Sequence, residues 1–317
     1  MSLIVNAETG SAEGRVQEQL RKWLSSPDPS INHNAAHKIQ HTGTAKWFTE
    51  GGTFNEWKND NTVLWIRGSR MFLPPSLTFM TNQCLPGFAA GCGKSVLWYA
   101  VRTRFVYRRL IPLFSSAIIE DVRHMRKTTS ILITYYYFDS MDAAKCDLRG
   151  LLSSLLMQLG SDSDQCLHVL LRLYMTYRDG SEQPSEESLA QCLKVILEKP
   201  EQLPIYIVVD ALDECPDTTG FPSARKKVLD FMTVLIRAKH PNLHLCITSR
   251  PEQDIQNALN SLTTAERRVS LHEEGGQRED INNYIRFFVQ NTDPMRKWRD
   301  EDKELVINTL SERADGM

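Results

Sequence analysis

The sequence predicts an α/β fold, in which a central parallel sheet is covered by helices on both faces. Three observations predict it. From Ser130 onward, strand-like and helix-like segments alternate, the order in which helices cross over between parallel strands. The runs ending at Val209 and Ile247 are apolar along their length, as expected of strands buried on both faces. Each run then gives way to polar or acidic residues, and open parallel sheets bind ligands at the carboxyl ends of their strands.

The bulk properties agree with a globular domain. The chain has 317 residues, 37 Lys and Arg against 39 Asp and Glu, and 41% hydrophobic residues. Its mean hydropathy is −0.35. A net charge of −2 gives no support for a nucleic-acid or membrane partner. No run approaches the roughly 18 apolar residues that span a bilayer. Met1 to Gly14 lacks the basic start and apolar centre of a secretory signal. The 7 cysteines are odd in number and form no CxxC pair, so reduced thiols and a cytoplasmic location are expected.

Taken in order, residues 1–12 read as disordered and 13–60 as a helical N-terminal segment. Val16, Leu20 and Leu24 fall at helical spacing, and Pro27 and Pro29 end that helix. His33, His37 and His41 would share a helix face, but no carboxylate or Cys completes a metal set, and a polar face is the expectation. Trp47, Phe48, Phe54 and Trp57 are expected to pack this segment onto the core. Residues 61–273 form the core domain, starting with a strand over Thr62 to Arg67. Residues 69–88 then carry Pro74, Pro75 and Pro86, no acid and no periodicity. Residues 98–114 hold four arginines and Pro112, again without an acid. A helix resumes at Ser115.

Beyond this the pattern is regular. Ile131 to Phe138 is a β-branched and aromatic strand. Asp142 to Leu159 is an amphipathic helix closed by Gly160. Helices over Leu167 to Tyr177 and Ser188 to Leu197 follow. A strand runs from Ile205 to Asp210, a helix from Ala224 to Lys239 and a strand from Leu243 to Ile247. Val269 to Leu271 is a short last strand. Residues 274–317 read as a helical C-terminal extension, with helices over 280–289 and 302–313. The chain stops directly after a helical pattern, which reads as a cut, so a further C-terminal region is expected.

The chemistry concentrates at three places. Gly91-Cys92-Gly93-Lys94-Ser95, with Ala90 before it, suits a phosphate-binding loop: backbone N–H groups cradle phosphate, Lys94 reaches the outer phosphates, and the Ser95 hydroxyl sits on Mg²⁺. The full motif needs a Gly five residues before Gly93, where Phe88 stands. Asp210 ends an apolar strand and would complete the metal site with Ser95. Asp213 and Glu214 could orient or deprotonate an attacking water. Thr248 or Ser249 could sense a terminal phosphate, and Arg250 could bond to it.

Three motifs in this order, Gly91–Ser95, Val208–Cys215 and Ile247–Pro251, resemble the NACHT-type signalling NTPases of the STAND class. The likeness is to the fungal group with a nephrocystin-3-like N-terminal domain. Ala211, between Asp210 and the Asp213-Glu214 pair, is typical of NACHT domains. The resemblance spans roughly residues 20 to 317. It implies a three-layer P-loop domain with the phosphate-loop strand beside the sensor strand. It also implies a switch controlled by ATP or GTP with Mg²⁺, protein partners bound through C-terminal repeats absent from this chain, and homo-oligomers in the active state. Family members run from the first strand straight into the loop. Joining Gly68 to Ala89 completes the phosphate-loop motif, and joining Leu97 to Ser115 gives an unbroken helix. Residues 69–88 and 98–114 are therefore read as additions: retained introns translated in frame, or else family-specific loops. Slow hydrolysis is the expected activity. The alternative is a non-catalytic interaction protein whose cradle the addition blocks. The spacing between motifs speaks against a metabolic kinase or transporter ATPase.

Overall fold

A computed structural model describes residues 14–39, 45–68, 110–199, 203–218 and 220–271, and further on 282–283, 285–287, 289–291 and 296–315. Five strands form one sheet: β1 (Val63–Arg67), β2 (Leu132–Tyr137), β3 (Ile205–Asp210), β4 (Leu243–Ser249) and β5 (Arg268–Ser270), in the order β2-β3-β4-β1-β5. Every pairing is parallel. The register sets Tyr137 beside Asp210, Val209 beside Ile247, and Arg67 beside Ser249. The strand before Gly91–Ser95 thus lies next to the strand that ends at Ser249, as the resemblance implies.

Side chains alternate between the two faces of a strand, and here both faces are buried. Trp65, Tyr136, Ile207, Val209, Leu245 and Ile247 join one core. Helices α1 (residues 14–24), α6 (Leu148–Asp162), α7 (Asp164–Thr176), α8 (Glu186–Leu197), α9 (Ala224–Arg237) and α10 (Gln253–Leu259) contribute to that core. Leu64, Ile66, Tyr135, Tyr137, Tyr206, Val208 and Cys246 face the second core. It is closed by α3 (Lys46–Thr49), α4 (Gly52–Asn59) and α5 (Leu110–Met125). The result is three layers. Helix α2 (Ser30–Ile39) lies against α5, and α11 (Asp300–Asp315) comes last in the described chain.

The expected N-terminal docking is present. Phe48, Phe54 and Trp57 are buried, and the Trp57 indole donates to the Leu245 carbonyl at 3.2 Å. His33, expected on a polar face, is buried instead, with its ring nitrogens 3.2 Å from the Tyr137 hydroxyl and 2.9 Å from Glu120. His41 lies outside the described residues.

Several boundaries differ for identifiable reasons. The expected single helix from Asp142 is a turn of 3₁₀ helix, Ala143–Lys145, followed by α6. The break comes at Asp147, whose carboxylate caps α6 by accepting from the Gly150 N–H at 2.8 Å. Gly150 is needed there, since a Cβ would stand 2.7 Å from the Tyr136 hydroxyl. Gly160 does not close α6. It lies inside the helix, where its lack of a side chain makes room for Leu167 and Leu170 of α7. Ser163, Ser185 and Ser223 cap α7, α8 and α9. Helix α5 runs over Leu110–Met125, so residues 110–114 of the expected addition are helical. The segment from 69 to 109, including the rest of both expected additions, lies outside the described residues, as do residues 1–13.

Candidate functional site

Apolar β3 carries its last residue, Asp210, to the carboxyl end of the sheet, where it is 1% exposed. Two hydroxyls converge on one of its oxygens. Thr248, near the end of β4, donates to Asp210 Oδ1 at 2.6 Å, and Ser115 of α5 donates to the same atom. Asp210 Oδ2 is buried with no hydrogen-bond partner among the described residues. Burial dominates the titration. It pushes the carboxyl up to about 6 against the two hydroxyl donors, and the nearby Asp213 and Glu214 charges add to the rise.

The chain then turns sharply. Ala211 takes a left-handed conformation at φ 55°, and its N–H donates to Thr248 Oγ1 at 3.0 Å. A small residue suits that bend, since a larger side chain at positive φ meets more strain. One turn of 3₁₀ helix, Leu212–Glu214, presents the two further acids. Asp213 is largely buried. It accepts from the Arg250 N–H at 3.0 Å and pairs with Arg250 Nε at 3.3 Å. Desolvation raises its pKa, and the bonds from Arg250 oppose that rise. Glu214 accepts from the Ser140 N–H at 3.1 Å and the Ser140 hydroxyl at 3.3 Å, in the loop after β2.

The end of β1 meets the same place. Trp65 Nε1 donates to Ser249 Oγ at 2.9 Å, and the Gly68 N–H continues the ladder to the Ser249 carbonyl at 3.0 Å. β1 therefore finishes at the end of the sheet where Asp210 sits.

The structure thus gathers Asp210, Asp213 and Glu214 with Thr248 and Arg250, two stretches far apart in sequence. Ala90, Gly91, Cys92, Gly93, Lys94 and Ser95 lie outside the described residues. Arg250, expected to meet a phosphate, is engaged with Asp213. Thr248 bonds Asp210, while Ser249 bonds Trp65. Ser115 is a site residue that sequence reasoning missed. Its one signal was its place at the start of the helical pattern that follows the loop motif. An orphaned carboxylate oxygen flanked by hydroxyls is a hard-oxygen donor set of the kind Mg²⁺ prefers, so these residues fit that ion.

Residues 112–250 match the family model described as nephrocystin 3, N-terminal. The match takes in Ser115, Asp210, Asp213, Glu214, Thr248 and Arg250, and it begins after Gly91–Ser95. No curated protein matches the chain.

Proposed function

We propose, from the match of residues 112–250 to the nephrocystin 3 N-terminal family, that this chain is a nucleotide-controlled switch. It would bind ATP or GTP across the carboxyl ends of β1, β3 and β4, in the manner of NACHT-type STAND proteins, and hydrolyse it slowly. The observation that carries the reading is the buried Asp210 Oδ2, without a hydrogen-bond partner among the described residues, at the end of the sheet where β1 also finishes. Asp210 and Ser95 would hold Mg²⁺, which supplies positive charge against the phosphates. Backbone N–H groups of Ala90 to Gly93 would cradle phosphate, and Lys94 would pair with it. Arg250 has one partner to exchange, because a terminal phosphate competes with Asp213 for its guanidinium. That exchange would free the Asp213 carboxylate beside Glu214 to orient water, and it would report nucleotide state to the segment after β4. Protein partners and self-assembly would act through regions beyond these residues.

The test is thermal and chemical unfolding with Mg-ATP and with Mg-GTP, for wild type, Lys94→Ala and Asp210→Asn. At a ligand concentration 100 times Kd, wild type gains about 2.7 kcal/mol, and both variants lose most of that gain. Equal gains in all three proteins refute the site.

A second reading has its own observation. Phe88 stands where the loop motif needs its first Gly, and the family match begins only at Pro112. A non-catalytic interaction protein with this fold would show no nucleotide-dependent shift at all.

A further inference from the structure

Arg225 is one of three bases in the first turn of α9, with Lys226 and Lys227, although a helix amino terminus favours acids. It is also 5% exposed, which is rare for an arginine unless its charge is met. Its contacts explain both facts. Nε donates to the Cys215 carbonyl at 2.7 Å, and Nη2 donates to the Asp213 carbonyl at 2.6 Å. Nη1 donates to Glu252 Oε2 at 2.5 Å and lies 3.4 Å from Asp254 Oδ2. Asp217 is farther, at 3.9 Å. The guanidinium therefore binds two separate stretches: the acid turn after β3, and the segment after Arg250 that opens α10. The side chain of Asp213 meets Arg250 from the other side of the same turn.

We propose that Arg225 is a positioning residue that fastens the acid turn and the segment after β4 into one moving unit. A change at Asp213 or Arg250 is then carried to Glu252 and α10 rather than absorbed in a loop. The planar fork is what suits Arg to this task. Its donors point in fixed, divergent directions, whereas an ammonium is a compact point charge that cannot hold two carbonyls and a carboxylate along those lines. The inference deepens the nucleotide-switch reading and rests on it for the identity of the signal, though the fastening itself does not.

Hydrogen exchange of the full chain, read by mass spectrometry over residues 211–217 and 250–256, tests it with and without Mg-ATP. The variants are Arg225→Lys, which keeps the charge and loses the fork, and Glu252→Gln, which weakens only the α10 end. Without nucleotide, Arg225→Lys is expected to speed exchange in both windows, and Glu252→Gln in 250–256 alone, while α6 stays at the wild-type rate. With Mg-ATP, wild type slows both windows together. In Arg225→Lys the response at 250–256 falls about 5-fold or more, while the nucleotide Kd stays within about threefold of wild type, a difference under 1 kcal/mol. Unchanged exchange in either window of Arg225→Lys overturns the proposal, as does a rise that spreads to α6. A full Mg-ATP response at 250–256 in that variant overturns it too. If wild type ignores Mg-ATP, the switch reading fails, and the nucleotide-free exchange still decides the role of Arg225.

Discussion

The two ends of the same strands are built differently. At the amino end, Tyr206 stacks on His244 with ring centroids 4.3 Å apart, and Trp57 closes on both rings. The Tyr206 hydroxyl donates to the Lys58 carbonyl at 2.8 Å, the Trp57 indole donates to the Leu245 carbonyl, and His244 Nδ1 lies 3.1 Å from the Trp57 carbonyl. At the carboxyl end, β3 finishes in a buried acid with one oxygen unmet among the described residues, followed by a left-handed residue and two more acids. Burying polar groups is tolerated where each finds a partner and is costly where one does not. The amino end therefore has its polar groups met, while at the carboxyl end, among the described residues, one carboxylate oxygen is not, a cost that the ligand proposed above would relieve.

Breaking the satisfied end has the largest effect. Trp57 is wholly buried between α4 and the sheet. Trp57→Ala is expected to destabilise the protein by about 3–5 kcal/mol in urea unfolding, the usual loss for a large buried aromatic. A loss below about 1 kcal/mol would mean that the N-terminal segment is not part of the cooperative core.

At the other end the sign reverses. Burial lifts the Asp210 carboxyl from 3.8 to about 6. The folded protein thus binds that proton more tightly than the unfolded chain does, and this group's contribution to stability falls as pH rises from about 4 to about 6. Above that window the ionised group costs about 3 kcal/mol, at about 1.4 kcal/mol for each pKa unit. Asp210→Asn keeps an acceptor for Ser115 and Thr248 and removes the charge. It is expected to be more stable than wild type at pH 8 by up to that amount, to lose the part of the pH dependence that Asp210 contributes between pH 4 and 6, and to lose the Mg-nucleotide gain. Urea midpoints at pH 5 and 8 check it, and a variant less stable than wild type at pH 8 contradicts the stored-cost argument. Ser115→Ala is milder, with a loss of about 1–2 kcal/mol from removing a hydroxyl bonded to a carboxylate. Unlike Asp210→Asn, it leaves the carboxylate with one donor fewer and moves its titration further up.

Much of this contrast was legible in the sequence. The apolar β3 and β4 declared a sheet buried on both faces, and the acid ending one and the Thr248-Ser249-Arg250 ending the other are brought together at one edge of that sheet. Trp47, Phe48, Phe54 and Trp57 were read correctly as docking residues because large aromatics have few other places to go. What could not be read depends on contacts across the fold. Ser115 has no local pattern that points to Asp210; the packing of α5 on the sheet puts it there. Arg225 looks like an ordinary basic residue until the Asp213 and Cys215 carbonyls and Glu252 surround it. His33 belonged to a spaced histidine set in the sequence, yet Tyr137 and Glu120, both distant in the chain, define its surroundings. Gly160 was misjudged because glycine serves two ends, backbone freedom and close packing, and the sequence does not say which.

The last test reads a sign rather than a size. Burial lowers the pKa of His244, and its bond to the Trp57 carbonyl only partly restores it. A histidine depressed in the folded state adds stability above its unfolded pKa of about 6.5, and that stability drains away as pH falls through the folded value. Asp210 works in the opposite sense over an overlapping range, so wild type is expected to show a shallow net dependence between pH 7 and 5. Asp210→Asn should expose the histidine slope, with stability falling as the solution is acidified. His33, also depressed by burial, contributes in the same direction. Replacing His244 with Asn in the Asp210→Asn background, and separately His33 with Gln, apportions the slope between the two ends. If acidification still stabilises Asp210→Asn, then another buried acid carries the carboxyl-end titration. Asp213, whose pKa desolvation also raises, is the group to replace next.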